Sequence, residues 1–499
     1  MNRRNWLQFS SSALAALLLS NNTWAIEELQ NFEYLVSDSL TEPSFKSDTI
    51  TFPFDWLVSE ITTNGKDLRL NWSREIKQAK KVFFRITSAT DIREECTLQL
   101  LTAKSKKEIG TLDMRFAHYM QPFEVLIEEN LIKIVLEEGI VLKKISGVKP
   151  LYVFTPSEKL EDIPVQFLPH LLVINSKNNS EEWRNRLMSL ASISTFGWME
   201  GCVLDGISIL KKDEPNAKDA LNKHLEKFFA NNTLTYENLN NKRSVETINT
   251  VESILPFAIL ANTNANHVML QNAIDFCYNH ADQNGVIADE TETNRRLKTE
   301  ECYTISYPLA VLAQKLNQPK LLNLSIANLK ARVNLLTTDK IIYQNAKENG
   351  NPEFGNWARG VGWYLLGLAK SLSVLPVNDD TQNLKNAFQK GVKIALKHQQ
   401  KNGLWFNFLD QPLTGIDTSG SASIAAALAF GFKNNLLSIE AHLAAKKSWK
   451  GLQKYLTPDG YLRGTAQVNK GGEALQKNGF RVISPYTLGF MAILNHSLK

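Results

Sequence analysis

The chain has 499 residues, 43% hydrophobic and 21% charged, with 25 Gly and 16 Pro. That composition is globular and excludes collagen-like, disordered and disulfide-scaffold classes. Lys and Arg number 56 against 51 Asp and Glu, a formal net charge of +5, too small to argue for nucleic acid as a partner.

Residues 1–25, MNRRNWLQFSSSALAALLLSNNTWA, read as an export signal: a basic start, an apolar run from Phe9 to Leu19, then Thr23-Trp24-Ala25. The run is shorter than the roughly 20 residues a membrane span needs. The Arg3-Arg4 pair resembles a twin-arginine signal, and its removal would leave a net charge of +3. No Cys follows the run, so no lipid anchor is expected. The mature chain is expected to be periplasmic or secreted.

From about 26 to 172 the pattern is short β-type runs broken by polar turns. They include Thr49–Phe52, Leu68–Trp72, Lys81–Ile86 and Leu131–Leu136. Strands at this spacing predict an all-β sandwich serving as an accessory domain.

From about 182 to 499 the period becomes helical. Amphipathic stretches are predicted over 182–211, 216–230, 251–262, 265–281, 303–316, 318–336, 357–374, 380–401, 419–434, 437–456 and 484–497. A short extended strip recurs between helix pairs, marked by Val286, Ile342, Leu404 and Tyr461 at spacings of 56, 62 and 57 residues. Such a period, extended back toward residue 170, gives six helical hairpins. Open solenoids repeat at about 33 to 47 residues, so the prediction is an all-α (α/α)6 toroid with a cleft at one end.

Three segments are too polar and Gly-rich to be core alone. In Phe354–Tyr364, Arg359 offers a planar fork suited to a carboxylate, and Trp357 and Trp363 offer faces for a sugar ring. In Asp417–Ala422, Thr418 and Ser419 either cap a helix or receive an anion. In Glu300–Ala310, Glu300 and Glu301 open an apolar helix, where a carboxyl turned into an aromatic cleft would become a proton donor. Glu252 and Asp205 are lone carboxylates on other apolar helices, and a pair from two inner helices suits glycosidic-bond chemistry.

No HExxH, GxSxG, P-loop or helix-opening GxGxxG is present. The eight His lack paired spacing, so no metal and no cofactor are expected. Cys96, Cys202, Cys277 and Cys302 form no CxxC, and disulfides or buried thiols fit them equally.

At these segments the chain resembles the unsaturated glucuronyl/rhamnogalacturonyl hydrolases, glycoside hydrolase families 88 and 105, over residues 182–499. The matching pieces are WARGVGWYLLGLAKSL (357–372), GLWFNFLD followed by DTSGSAS, and ECYTISYPLAVLA. The resemblance implies a catalytic acid seven residues before Pro308, which is Glu301, with Glu252 near the second acidic position. That acid would protonate C4 of a 4,5-unsaturated uronyl residue and activate water for attack at C5. Trp357, Arg359, Trp363, Gln344, Thr418 and Ser419 would bind the sugar. The chain departs from the family pattern with Glu at 301 for Asp, Val361 for Asn, and Gln344 near an expected His.

A uronic-acid-containing oligosaccharide attacked exo-wise is therefore the expected substrate. A saturated exo-uronidase, a polysaccharide lyase and a non-catalytic sugar-binding protein are the alternatives. A lyase of this type would carry its β region after the helices, and a binding protein would not need the carboxylates at 252 and 301.

Overall fold

The computed structural model describes residues 31–40, 49–65, 67–74, 76, 79–156, 163–175, 181–291, 294–347 and 350–499. The export signal read at 1–25 lies outside them. The N-terminal part is β-rich, with strands from Phe32–Val36 to His170–Ile174. One antiparallel sheet runs in the order Phe32–Val36, His170–Ile174, Lys81–Thr87, Pro122–Ile127. A five-stranded sheet contains Leu68–Asn71, Ile140–Ser146, Thr97–Thr102 and Glu108–Asp113. Alternating burial along Leu68–Asn71 and Thr97–Thr102 turns one face of each strand inward, as a two-residue period requires. Val82, Phe84 and Leu171 of the first sheet share one apolar cluster with Leu70, Leu98 and Leu142 of the second.

Two of the expected strands are corrected. Leu131–Leu136 lies within a helix, Glu129–Glu138. Its alternation does not separate strand from helix, because Leu131 and Val135 also sit four apart, and these are the two positions buried. Thr49–Phe52 forms no strand. Its Thr51 N–H instead donates to the Asn241 carbonyl in the helical part.

From Glu182 onward the chain is mainly helical. Six inner helices pack in sequence: Trp198–Leu210, Leu255–Thr263, Tyr307–Lys315, Ala358–Leu372, Thr418–Lys433 and Thr487–Leu498. The last returns to the first, closing a ring. Ala217–Phe229, Met269–His280, Pro319–Leu336, Asp379–Lys397 and Ile439–Leu452 flank successive inner helices, and Glu182–Met188 lies against the last. Inner helices are apolar nearly all round because both faces are covered, whereas outer ones keep a polar stripe. Closure needs close backbone approach: a Cβ on Gly206 would stand 2.5 Å from the Gly489 Cα.

Three of the four recurring strips form bridges across turns, pairing Ala281 with Ile287, Thr337 with Ile342, and Leu456 with Leu462; at the fourth, the Gln400 N–H donates to the Leu404 carbonyl. The expected 182–211 helix is two helices, broken between Met188 and Trp198.

The two parts share more than a linker. Phe54 packs on Phe228, and Arg85 of the β-rich part meets Asp459 at 2.5 Å with both side chains fully buried. All four cysteines are buried free thiols. Among the described residues, no helix is long and apolar enough to cross a membrane.

Candidate active site

The N-terminal ends of four inner helices, those beginning at Trp198, Leu255, Tyr307 and Ala358, or the turns leading into them, border a cleft of about 280 Å³, near the lower edge of ligand-site volumes. Helix N-termini carry partial positive charge, so this end of the ring favours an anionic ligand. Trp198, Glu252, Asp289, Lys298, Glu300, Trp357, Arg359, Trp363 and Lys470 line it, and Asp91 and His118 come from the β-rich part.

Glu300, not Glu301, is the carboxylate of this segment that faces the cleft. Five residues after Glu301, Cys302–Ser306, form a π-turn, whose i→i+5 bonds take up one residue more than an α-turn. The seven-residue spacing to Pro308 that the resemblance implies falls on Glu301, but the extra residue of the π-turn changes the direction in which the side chains ahead of it point. Glu301 instead points into the protein, fully buried, with Oε2 2.5 Å from Arg332 Nη2. It also accepts the Lys298 N–H at 2.9 Å. Burial pushes its carboxyl upward, and the charges of Arg332 and Lys298 oppose that.

Both Glu300 oxygens accept from Gln344 Nε2 at 2.8 Å. Gln344 Oε1 accepts from the Asn345 side chain, which leaves the amide nitrogen to face Glu300. Gln344 thus orients Glu300 rather than lining the cleft. Burial, then the charge of Glu252, pushes the Glu300 pKa up to about 7, with Lys298 and Gln344 opposing.

Glu252 stands on the 3-10 turn Val251–Ile254, with Oε1 2.8 Å from Lys298 Nζ. Lys298 also meets Asp289 at 2.7 Å. Burial would lower the lysine pKa, but Glu252, Glu301 and Asp289 hold it well above the ordinary range. The group on one wall is therefore a carboxyl poised near neutrality beside a lysine bracketed by carboxylates.

Trp357, Arg359 and Trp363 meet in this cleft, but the role expected of Arg359 changes. Arg359 Nη1 donates to the Ala466 carbonyl at 2.6 Å and to Tyr486 Oη at 2.9 Å, and Nη2 donates to the Gln467 carbonyl at 2.8 Å. Those donors hold backbone, so they are not left to clasp a substrate carboxylate. The motif glycines serve packing: a Cβ on Gly360 would meet the Gln344 Cβ at 3.0 Å, and one on Gly362 the Ser423 Oγ at 1.8 Å.

Thr418 and Ser419 do not line the cleft. Asp417 caps their helix, accepting the N–H groups of Ser419 and Gly420 and the Ser419 hydroxyl, so the chain supplies its own anion there. Thr418 Oγ1 donates to the Arg463 carbonyl. Asp205 lies within the ring, bonded to Lys370 at 2.8 Å and to Tyr303.

Lys298, Asp289, Asp91, His118 and Lys470 went unread in the sequence. Only Lys298, two residues before Glu300, carried a local signal. His118 Nε2 lies 2.7 Å from Ser484 Oγ and Nδ1 2.9 Å from the Tyr119 carbonyl, and burial lowers its pKa to about 4. Among the described residues, no cluster of three His, Cys, Asp or Glu side chains is arranged to hold a metal ion.

The chain is similar to several known proteins. An unsaturated 3S-rhamnoglycuronyl hydrolase of Formosa agariphila is 38% identical over 109 residues, 21% of this chain and 29% of that protein. Unsaturated rhamnogalacturonyl hydrolase YesR of Bacillus subtilis is 30% identical over 90 residues, 18% of this chain and 26% of that one. The matches thus span less than a third of these curated relatives. A family 105 glycoside hydrolase of C. acetobutylicum superposes with a TM-score of 0.56 at 18% identity, over 64% of this chain and 99% of that one. A possible family 105 member from Salmonella enterica gives 0.55, also at 18%, over 64% and 92%. At that identity the two structures speak for the fold. The sequence profile of Glycosyl Hydrolase Family 88 matches residues 173–495, nearly two-thirds of the chain, and the protein belongs to that family.

Proposed function

We propose that the protein is a glycoside hydrolase that removes 4,5-unsaturated uronyl residues from the ends of oligosaccharides left by polysaccharide lyases. The observation that carries this reading is Glu300: a carboxyl with a pKa near 7, aimed by Gln344 into a tryptophan-lined cleft beside Glu252. A proton donor is most effective when its pKa lies near the working pH.

In this reading the protonated Glu300 gives its proton to C4 of the enol ether, and the cation left at C5 is stabilised by the ring oxygen. Water adds at C5 and its proton returns to the Glu300 carboxylate. The resulting hemiketal opens and releases the aglycone. Glu252 keeps Lys298 in place and its negative charge favours protonated Glu300. Trp357 and Trp363 form the apolar floor under the sugar ring. The closed ring of helices is read as an (α/α)6 toroid over 182–499, and the two N-terminal sheets as a sandwich over 26–172. Export through the 1–25 signal would place the enzyme where polysaccharide fragments arrive.

The test is incubation with lyase-generated oligosaccharides from rhamnogalacturonan, sulfated rhamnoglucuronan and glycosaminoglycan, following the absorbance of the conjugated C=C bond. Loss of absorbance with the wild type and none with Glu300→Gln is expected. Cleavage of saturated uronides with the unsaturated ones untouched would overturn the reading in favour of a saturated exo-uronidase.

A further inference from the structure

Part of the cleft lining is built by two distant parts of the chain, Asp91 and Lys470. Asp91, in the β-rich part, has a fully buried side chain, and its two oxygens accept from Lys470 Nζ at 2.7 and 2.9 Å. Arg93 Nε donates to the same carboxylate at 2.7 Å. Two cations thus share one anion, and the cluster keeps a net charge of +1.

The position of Lys470 is fixed from several sides. The Asp91 N–H donates to Asn241 Oδ1 at 2.8 Å, tying its loop to the turn of a hairpin in the helical part. Lys470 follows Ala466 and Gln467, the residues whose carbonyls Arg359 holds. The Gln467 amide donates in turn to the Arg115 carbonyl and to Gln121 Oε1 of the β-rich part.

The three cleft cations differ in what they have left to offer. Lys298 is bracketed by Glu252 and Asp289. Arg359 is 2% exposed and donates to carbonyls and a tyrosine. Lys470 keeps 25% of its side chain exposed, and two of its three N–H bonds are accounted for by Asp91. The cleft is therefore acidic at Glu252, Asp289 and Glu300 and cationic at Lys470.

We propose that Lys470, held in place by Asp91 of the N-terminal part, receives the carboxylate of the terminal uronyl residue and so makes that part a working component of the sugar site. The inference rests on the uronide reading above. A sugar with its carboxylate on Lys470 would lie in the cleft that Glu252 and Glu300 also line. Asp91 is a positioning residue here, and Lys470 a binding one.

The test is calorimetric binding in a Glu300→Gln background, using a lyase-generated unsaturated disaccharide and its uronyl methyl ester. A hydrogen bond to a charged partner corresponds to about tenfold or more in affinity, so the free acid should bind about tenfold tighter than the ester. Lys470→Met should erase that preference by weakening the free acid about tenfold more than the ester, and Lys470→Arg should restore it. Asp91→Ala should reduce the preference with Lys470 still present, and an unchanged preference there would overturn the part given to Asp91. A preference that survives Lys470→Met, or equal losses for acid and ester, would overturn the proposal as a whole. If the wild type consumes lyase products while Lys470→Met keeps the preference, the enzymatic reading stands and this inference falls. If a Lys470-dependent preference exists without turnover, the reverse holds. Binding of neither ligand would overturn both.

Discussion

Two adjacent glutamates should fail in opposite ways when each is replaced by glutamine. Glu301 is the only carboxylate bonded to Arg332 among the described residues. The Arg332 side chain is fully buried, with its remaining donors on the Lys298, Asn328 and Ile287 carbonyls and on Asn328 Oδ1. Glu301→Gln leaves that guanidinium buried without a counter-ion, a change that costs about 3–5 kcal/mol. If residues 173–495 unfold as a unit at about 2.1 cal/mol/K per residue, that cost lowers Tm by about 4–7 °C. Glu300 is half protonated near pH 7, so Glu300→Gln removes little charge and should shift stability by about 1 kcal/mol or less. Turnover should instead fall about 10²–10⁴-fold, as expected for a lost general acid. Differential scanning calorimetry reads the first effect, and loss of C=C absorbance, below both melting points, reads the second. A Glu301→Gln protein that melts with the wild type but has lost turnover would place the acid at 301 and refute the register argument from the π-turn.

Activity should decline as pH rises above about 7, because Glu300 must be protonated to act, and a rate profile flat from pH 6 to 9 would contradict that role. The same raised pKa means the folded state binds more protons than the unfolded one between about 4.5 and 7. This group's contribution to stability therefore falls as pH rises through that window, and melts of Glu300→Gln at pH 5 and 8 should lack that component. Burial alone would raise the Asp459 pKa, but Arg85 and Arg186 outweigh it and hold the carboxyl well below the usual range. Its stabilising contribution is thus present above about pH 3.8 and lost on acidification. Asp459→Asn should cost about 3–5 kcal/mol and separate the melting of the β-rich part from that of the ring, whereas a single unshifted calorimetric transition would count against the clamp. Gly362→Ala places a methyl on Ser423 Oγ and should destabilise by about 1–3 kcal/mol, with partial recovery on adding Ser423→Gly in a thermal melt.

The helical part was legible because its signals are local and repeated. A strip recurring every 56 to 62 residues marks a turn that must reverse the chain, and the backbone bridges at Ile287, Ile342 and Leu462 stand at or one residue beyond three of the four marks. Trp357 and Trp363 could be read as cleft residues because large aromatics beside glycines at a helix start serve either tight packing or a ligand. Here the tryptophans reach the cleft, and the glycines beside them serve packing. The run Leu131–Leu136 was misread because its apolar positions satisfy a two-residue and a four-residue spacing together, and only the sheet packed against it selects the helix.

The glutamate that faces the cleft was hidden for a different reason. Glu300 and Glu301 have the same side chain and nearly the same neighbours, so no propensity separates them. What separates them is one residue of helical phase, set by the π-turn at 302–306, and by Arg332, an arginine 31 residues on that claims Glu301. The Asp91–Lys470 pair is more remote still, since the two residues meet across 379 residues of chain. Either residue read alone is an ordinary surface charge. Lys470 is fixed by Asp91 only when both parts of the molecule are folded against each other, so a chain cut between them should have a weakened preference for a charged sugar even if the ring of helices survives.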